Sequence, residues 1–299
     1  MQKITPFLWF NDNAEEAVRF YASTFKGSTI GRTMRYDAAG ANVSGRPEGS
    51  VMTIAFTIEG YEFTALNGGP LFTFTPAISF FVHCDTAEEV DGLWAKLSPG
   101  GKVRIELGEY PYSKRYGWIE DKFGVSWQLM LVPERSQKIV PDLLFVGENF
   151  GKAEEALKFY TSIFPDAAVT FIQKAGPGEP YNREGAVMYA SFTLFGEPLA
   201  VMDGPGKHDF TFNEAISLLV NCDTQDEVDE YWRKLSAGGE EGPCGWLKDK
   251  YGVSWQIVPI LLEKLLSDPD PAKSGRVMQA MLQMKKIESK ALQEAYEGK

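Results

Sequence analysis

The chain repeats itself. Ala14-Glu15-Glu16-Ala17-Val18-Arg19-Phe20-Tyr21 returns as Ala153-Glu154-Glu155-Ala156-Leu157-Lys158-Phe159-Tyr160. Cys84-Asp85-Thr86 returns as Cys222-Asp223-Thr224, and Gly124-Val125-Ser126-Trp127-Gln128 as Gly252-Val253-Ser254-Trp255-Gln256. Order is kept while one loop is shorter in the second copy. A duplication of this kind constrains the architecture before any chemistry is considered, and it makes the differences between the copies the best guide to function. The repeat of about 130 residues gives two ordinary domains, expected at 1–133 and 138–260, with a helical tail at 261–299.

Each copy divides again. Ile4–Phe10 is apolar enough for a strand, and Asn11-Asp12-Asn13 is expected to supply the turn and helix cap. Ala14, Ala17, Val18, Tyr21 and Phe25 then recur at helical spacing until about Gly27. Strand-like runs follow at Thr29–Tyr36, Val51–Ile58 and Tyr61–Leu66. The second unit opens with a strand at Ala77–Cys84, and Thr86-Ala87-Glu88-Glu89 is a capping-box pattern. Val90, Leu93, Trp94 and Leu97 give its helical face, and strands are expected near Gly117–Glu120 and Val125–Val132. Four strand–helix–three-strand units follow, an α+β plan, because the strands come mostly in consecutive runs. After Pro259 a turn or two of helix is expected at Leu261–Leu266, a break at Ser267–Pro271, and one helix from Ala272 to about Tyr296.

A formal charge of -11 disfavours a nucleic-acid or anionic-membrane binder, which needs a basic footprint. No apolar run is long enough to span a bilayer, and the first residues lack the apolar region of a signal peptide. The three cysteines, Cys84, Cys222 and Cys244, have no CxxC spacing, and a reducing cytoplasm is the expected compartment.

Duplicated units carrying an AEEAxxFY helix resemble the vicinal oxygen chelate superfamily of glyoxalase I and bleomycin-resistance proteins. Trp9-Phe10, Ala65-Leu66-Asn67-Gly68-Gly69, Ala77-Ile78-Ser79 and the repeated Gly-Val-Ser-Trp-Gln are similar to its PhnB-like branch, also labelled 3-demethylubiquinone-9 3-methyltransferase-like. In the second copy Phe210–Ser217 and Cys244–Lys250 carry the same likeness. The resemblance implies two tandem glyoxalase-like domains, each a curved mixed sheet. It also implies, for metal-dependent members, four strand positions that hold histidines and glutamates. Counted from the motifs to within about one residue, these fall near Pro6, at about Phe63, at Ser79 and at Gln128, and again near Pro141, at Leu199 or a neighbour, at Ser217 and at Gln256. None is a histidine or a carboxylate and a one-residue shift is not expected to rescue the site, so no metal and no other cofactor is expected.

The histidines, His83 and His208, are not repeat-equivalent. His83 is expected at a strand end, off the inward face; His208 sits in a glycine-rich loop as a ligand-contact candidate. Gly68-Gly69-Pro70 and Gly204-Pro205-Gly206 precede no helical pattern, so neither forms the loop of a common adenosylmethionine site.

The cup is expected to be lined by Trp9, Asn67, Ser79, Trp118, Trp127 and Gln128 in one domain. The other set is Asp203, Ser217, Cys244, Trp246, Trp255 and Gln256. Adjacent Trp127 and Gln128 cannot both face inward from a regular strand, and Gln128 with Gln256 is the better pair for contacting a ligand. Aromatic walls with a few placed polar groups suit a small organic molecule. Ligand-contact candidates are therefore Trp9, Asn67, Ser79, Gln128, Ser217, Trp246, Gln256 and His208. Catalytic candidates are Asp203, which replaces Asn67, and Cys244. The leading expectation is a metal-independent protein that binds, and sequesters, a small molecule. Two alternatives stay open: an enzyme with its chemistry in the second domain, and a scaffold in which one domain has lost its pocket. The tandem copies are expected to form an internal pseudo-dimer, with a homodimer through the tail as the alternative.

Overall fold

A computed structural model describes residues 2–135, 137–179 and 182–299. The first copy contains β1 (Ile4–Phe10), α1 (Ala14–Thr24), β2 (Thr29–Arg35), α2 (Ala38–Ser44), β3 (Val51–Ile58) and β4 (Tyr61–Asn67). It continues with β5 (Ile78–Cys84), α3 (Ala87–Leu97), β6 (Lys102–Tyr110), β7 (Ser113–Glu120) and β8 (Ser126–Leu131). The second copy contains β9 (Ile139–Phe145), α4 (Ala153–Thr161), β10 (Ala168–Lys174), β11 (Val187–Leu194) and β12 (Glu197–Asp203). Then come β13 (Ile216–Cys222), α5 (Gln225–Leu235), β14 (Glu240–Glu241), β15 (Trp246–Lys248) and β16 (Ser254–Pro259). The tail forms α6 (Ile260–Leu266), α7 (Pro271–Met281) and α8 (Ser289–Glu297). The four units of the α+β plan are all present; α2 and β6 were not legible in the sequence.

The strands form two eight-stranded mixed sheets, and each draws on both copies. The first sheet runs β14-β15-β16-β13-β1-β4-β3-β2, the second β10-β11-β12-β9-β5-β8-β7-β6. The seams are antiparallel: β1 lies against β13, and β5 against β9. The boundaries of the sequence repeat are therefore not the boundaries of the sheets. Each cup takes one unit from either copy, so the pseudo-dimer is interlocked. Helices α1 and α5 pack on one face of the first sheet and α3 and α4 on one face of the second. One continuous core joins them, and the two remaining sheet faces are the cups.

The residues that make the repeat visible hold this core. The Asp121 carboxylate accepts from the Tyr21 hydroxyl at 2.8 Å and the Trp127 indole at 2.9 Å, and from the backbone amides of Phe123 and Val125. Asp249 accepts in the same way from Tyr160, Trp255, Tyr251 and Val253. Buried polar groups persist when their hydrogen bonds are made, and these four-donor clusters meet that condition. Trp127 and Trp255 accordingly lie on the core face and not in a cup, which settles the choice between each tryptophan and its neighbouring glutamine.

Helix starts follow a similar rule. Thr86 and Thr224 accept from the amides of Glu89 and Glu227, whose carboxylates turn back to the amides of Asp85 and Asp223. The expected Asn13 cap is absent, for its side chain makes no capping bond. Asn67, at the end of β4, does that work from across the sheet, accepting from the Ala14 amide at 2.9 Å.

The tail is two helices after the break, not one. The chain unwinds after Met281, and the carbonyls of Met284 and Lys285 accept from the amides of Cys244 and Gly245, both at 2.7 Å. Leu262, Leu265, Val277, Ile287 and Leu292 give the tail its own small core, joined to the sheet through Val258. On the other side the Arg32 side chain on β2 donates to Ser267 and to the carbonyl of Leu266. The entry to β15 and strand β2 lie at opposite sides of the first sheet, so the tail bridges the mouth of that cup.

Candidate functional site

Alternation along the strands decides what each cup contains. In the second sheet β5 turns Ser79 and Phe81 into the cup, β8 turns Gln128 and Met130, β9 turns Val140 and Asp142, and β12 turns Ala200 and Met202. The register puts Asp142 directly opposite Ser79 on one side and Ala200 on the other, with Trp118 of β7 opposite Gln128. Here the sequence count was one residue short. Pro6, Phe63, Pro141 and Leu199 fall on the core side, and the cup-facing neighbours are Phe7, Thr64, Asp142 and Ala200. A shift of one residue changes the face, and it brings a carboxylate into the cup that the sequence reading missed.

Asp142 is 0% exposed. Its Oδ2 accepts from Gln128 Nε2 at 3.0 Å and from the Ser79 hydroxyl at 3.4 Å. Gln128 Nε2 also donates to Ser79 at 2.9 Å, while the Tyr116 hydroxyl donates to Gln128 Oε1 at 2.6 Å. That last bond orients the amide, so its donors face the carboxyl. Oδ1 is buried and has no hydrogen-bond partner among the described residues. Burial pushes the Asp142 pKa up to about 7, partly offset by Gln128 and Ser79; no charged group takes part. Leaving such an atom unpaired is costly, and native structures rarely do so without a reason.

Rings close over this floor. Tyr116 and Phe81 are buried beside Val140 and Ala200, with Tyr110, Trp118, Tyr189, Met130 and Met202 against them, in a cluster separate from the main core. Tyr110, Tyr112 and Tyr116 rest on one another at centroid distances of 5.2–5.7 Å. Across the cup, Phe171 of β10 meets Tyr189, which meets Phe81. Tyr112 and Phe171 form an exposed aromatic rim, at 56% and 52% accessible. His83 shares the face of Ser79 and Phe81, contrary to expectation. Its ring stacks near Phe81 and its Nδ1 lies 3.4 Å from the Gln137 carbonyl, while burial lowers its pKa.

The first cup has the same frame and a different content. Gln256 donates to Ser217 at 2.9 Å, as Gln128 does to Ser79. Opposite Ser217 stands Phe7, where the second cup has Asp142. Phe7 and Trp9 both meet Trp246 edge-on, at 5.8 and 6.0 Å, and Trp9 is tied to the Gly69 carbonyl. Cys244 stands where the second cup has Tyr116. The expected groupings are thus redistributed: Trp9, Ser217, Trp246, Gln256 and Cys244 belong to the first cup, Ser79, Trp118 and Gln128 to the second.

The two catalytic candidates, Asp203 and Cys244, lie apart. Asp203 lies on the helix side, accepting from the amides of Gly151, Ala153 and Val187 at 2.7–3.3 Å. It caps α4 as Asn67 caps α1, and neither faces a cup. Cys244 packs under the tail with its Sγ 3.6 Å from the Met281 carbonyl, and burial raises its thiol pKa. A nucleophilic cysteine needs the opposite shift. His208 folds back on its own loop, 3.0 Å from the Pro205 carbonyl and edge-on to Phe210.

The donor sets do not fit the superfamily's metal. The second cup offers a carboxylate, an amide, a hydroxyl and the methyl group of Ala200; the first offers Phe7, Thr64, Ser217 and Gln256. A divalent site needs three or four convergent histidine, cysteine or carboxylate ligands. Among the described residues no group of three or more such side chains could hold an ion. Among the described residues no helix is long and apolar enough to cross a membrane.

Comparison with known proteins agrees with this frame. The model of the 3-demethylubiquinone-9 3-methyltransferase family matches twice, over residues 2–130 and 137–258. The PhnB protein of Bacillus cereus is 47% identical, covering 44% of this chain and 100% of its own, with a TM-score of 0.40. A protein from Staphylococcus aureus is 34% identical over 45% of this chain and 98% of its own, with a TM-score of 0.19. Glyoxalase I from Zea mays covers 89% of this chain and 95% of its own at 13% identity and a TM-score of 0.58, a likeness of fold. No curated protein is significantly similar in sequence. With both copies matched, the chain belongs to the 3-demethylubiquinone-9 3-methyltransferase family.

Proposed function

We propose that the protein binds a small organic molecule in the second cup, and that the first cup serves as its structural counterpart. The observation that carries this reading is the Asp142 carboxyl, buried under tyrosines with one oxygen unpartnered. Pockets for organic ligands combine an aromatic lining with a few convergent polar groups, and Asp142, Gln128, Ser79 and Tyr116 supply them. Phe7, Trp9 and Trp246 fill the corresponding space of the first cup, beneath the tail.

Binding is proposed to be metal-independent, because the donor set lacks the ligands a divalent ion requires. We do not extend the family's methyltransferase name to this chain. Gly68–Pro70 and Gly204–Gly206 connect strands to strands, and no helix starts from either loop to receive a cofactor phosphate or carboxylate. A reducing cytoplasm remains our proposed compartment, in keeping with three free thiols.

The test is an indole N–H spectrum of the full chain during a small-molecule screen, with and without a chelator. Binding in the second cup shifts the Trp118 signal, whose Nε1 donates to Ser126 at 2.7 Å, and leaves Trp9 and Trp246 in place. Shifts confined to Trp9 and Trp246, or a response abolished by the chelator, would overturn this reading.

A further inference from the structure

Resting on the second cup as the binding site, the geometry points to a particular ligand: an organic ammonium ion, a primary or secondary amine on an aromatic or alkyl body. Its N–H would donate to Oδ1 of Asp142.

Three observations converge. First, the floor carboxyl has no cationic partner. The groups facing it are Tyr116 from β7, Tyr189 from β11 and Tyr110 from β6, with His83 further along β5; Arg135 acts on Tyr189 and His83 but not on Asp142. Buried carboxylates are normally paired, and among the described residues no cation pairs with this one. Second, the neutral donors all serve one oxygen. Gln128 and Ser79 both point to Oδ2, which leaves Oδ1 as an acceptor site of fixed direction. Third, the walls are aromatic. Phe81, Tyr110, Tyr116, Trp118 and Tyr189 surround the site, and aromatic faces attract desolvated cations. An anion would meet the carboxylate's repulsion. A quaternary ammonium would satisfy the rings and still leave Oδ1 without a donor.

The floor is fully buried, so a ligand reaches it only by displacing the rings at the edges of the second sheet. Strand β6 is irregular there, with register shifts between Val103 and Ile105, Ile105 and Gly108, and Gly108 and Tyr110. The three tyrosines of that hairpin rest on each other, so the ligand displaces rings from a satellite cluster and leaves the main core intact. Among the described residues between β8 and β9 there is no helix to stand as a counterpart of the tail.

The experiment uses the full chain and four probes of one shape: phenethylamine, 2-phenylethanol, 3-phenylpropionate and trimethyl(2-phenylethyl)ammonium. Affinities are measured by calorimetry at pH 6 and pH 8, with Trp118 as the reporter of place. The amine should bind best of the four. Its affinity should rise about tenfold between these pH values, because the carboxyl it pairs with ionises between them. Asp142→Asn should remove that rise and weaken the amine at least about tenfold at pH 8. If the alcohol binds as well as the amine, or the amine ignores both pH and Asp142→Asn, the ammonium assignment is wrong while the cup survives as a site. If no probe moves Trp118 or shifts melting at either pH, the cup reading and the ammonium assignment both fall. The pH series on the unaltered protein keeps the test decisive even if the variant misfolds.

Discussion

The two cups share a backbone and a serine–glutamine pair, and they differ at three places that matter. On the floor, Asp142 in the second cup corresponds to Phe7 in the first. On the wall, Tyr116 corresponds to Cys244. At the rim, exposed Phe171 corresponds to Arg32, which is tied to the tail. The second cup has a polar floor beneath aromatic rings. The first has an aromatic floor, and the tail packs against its Cys244 wall. Duplication preserved the frame, and the site is found in what the copies do not share.

The largest effect should come from forcing the floor of one cup on the other. Phe7→Asp removes a ring packed on Trp246 and leaves a carboxyl with Gln256 and Ser217 as its donors. Large-to-small changes at such sites cost about 3–5 kcal/mol, and the charge adds to that at pH 8. Urea unfolding at pH 8 measures it. A loss below about 1 kcal/mol would mean that the first cup also accommodates a carboxylate, and the contrast between the cups would collapse.

The next effect runs the other way. The folded-state pKa of Asp142 is raised from 3.8 to about 7, so the folded state binds this proton more tightly than the unfolded chain. Its contribution to stability is complete below about pH 4 and is lost as pH rises through about 7. Asp142→Asn has no proton to lose. The variant should match the parent within about 1 kcal/mol at pH 4 and exceed it by about 2–4 kcal/mol at pH 8. Stability gained by deleting a buried acid would mark that acid as kept for something other than folding. A variant less stable than the parent at pH 8 would make Asp142 a structural residue and remove the main difference between the cups.

Much of the frame was legible because it depends on local pattern. The four units follow from helical and alternating periodicity and from the Thr86 and Thr224 caps. The choice of Gln128 over Trp127 follows from alternation alone. What could not be read is long-range. No local signal says that β1 pairs with β13, so the residues of each cup were grouped by copy and not by sheet. Asp142 escaped because a position counted from a distant motif landed on Pro141, and in a strand one residue is the other face. The Asn67 to Asp203 exchange had the opposite fault. It looked chemical, yet both side chains cap helices on the side away from either cup.

That exchange gives a smaller, sharper test. Asp203 Oδ2 accepts from the Val187 amide, whereas Asn67 Nδ2 donates to the Val51 carbonyl, so the two caps are not interchangeable. Asp203→Asn sets an amide against an amide and should cost about 1–2 kcal/mol, as lost caps and unmade buried hydrogen bonds do. Ligand binding in the second cup should be unchanged. A loss of binding larger than the loss of stability explains would return Asp203 to the site.

The smallest global effect is expected at Arg32, and it probes the roof of the first cup. Arg32→Ala removes the side-chain bonds to Ser267 and Leu266 at an exposed strand edge, so overall stability should fall by less than about 1 kcal/mol. Local opening is another matter, since the tail has its own small core and is expected to open before the sheets unfold. Cys244 reports on that opening. Cys84 and Cys222 are buried in the main core, while Cys244 is half-buried with its thiol against the tail. Its reaction with a disulfide reagent should quicken severalfold in the variant, with the other two thiols still protected. An unchanged rate would show that the roof is held by its contacts with Cys244, Gly245 and α5, and not by Arg32. The exchange of Phe171 for Arg32 would then say nothing about why one cup is covered and the other is not.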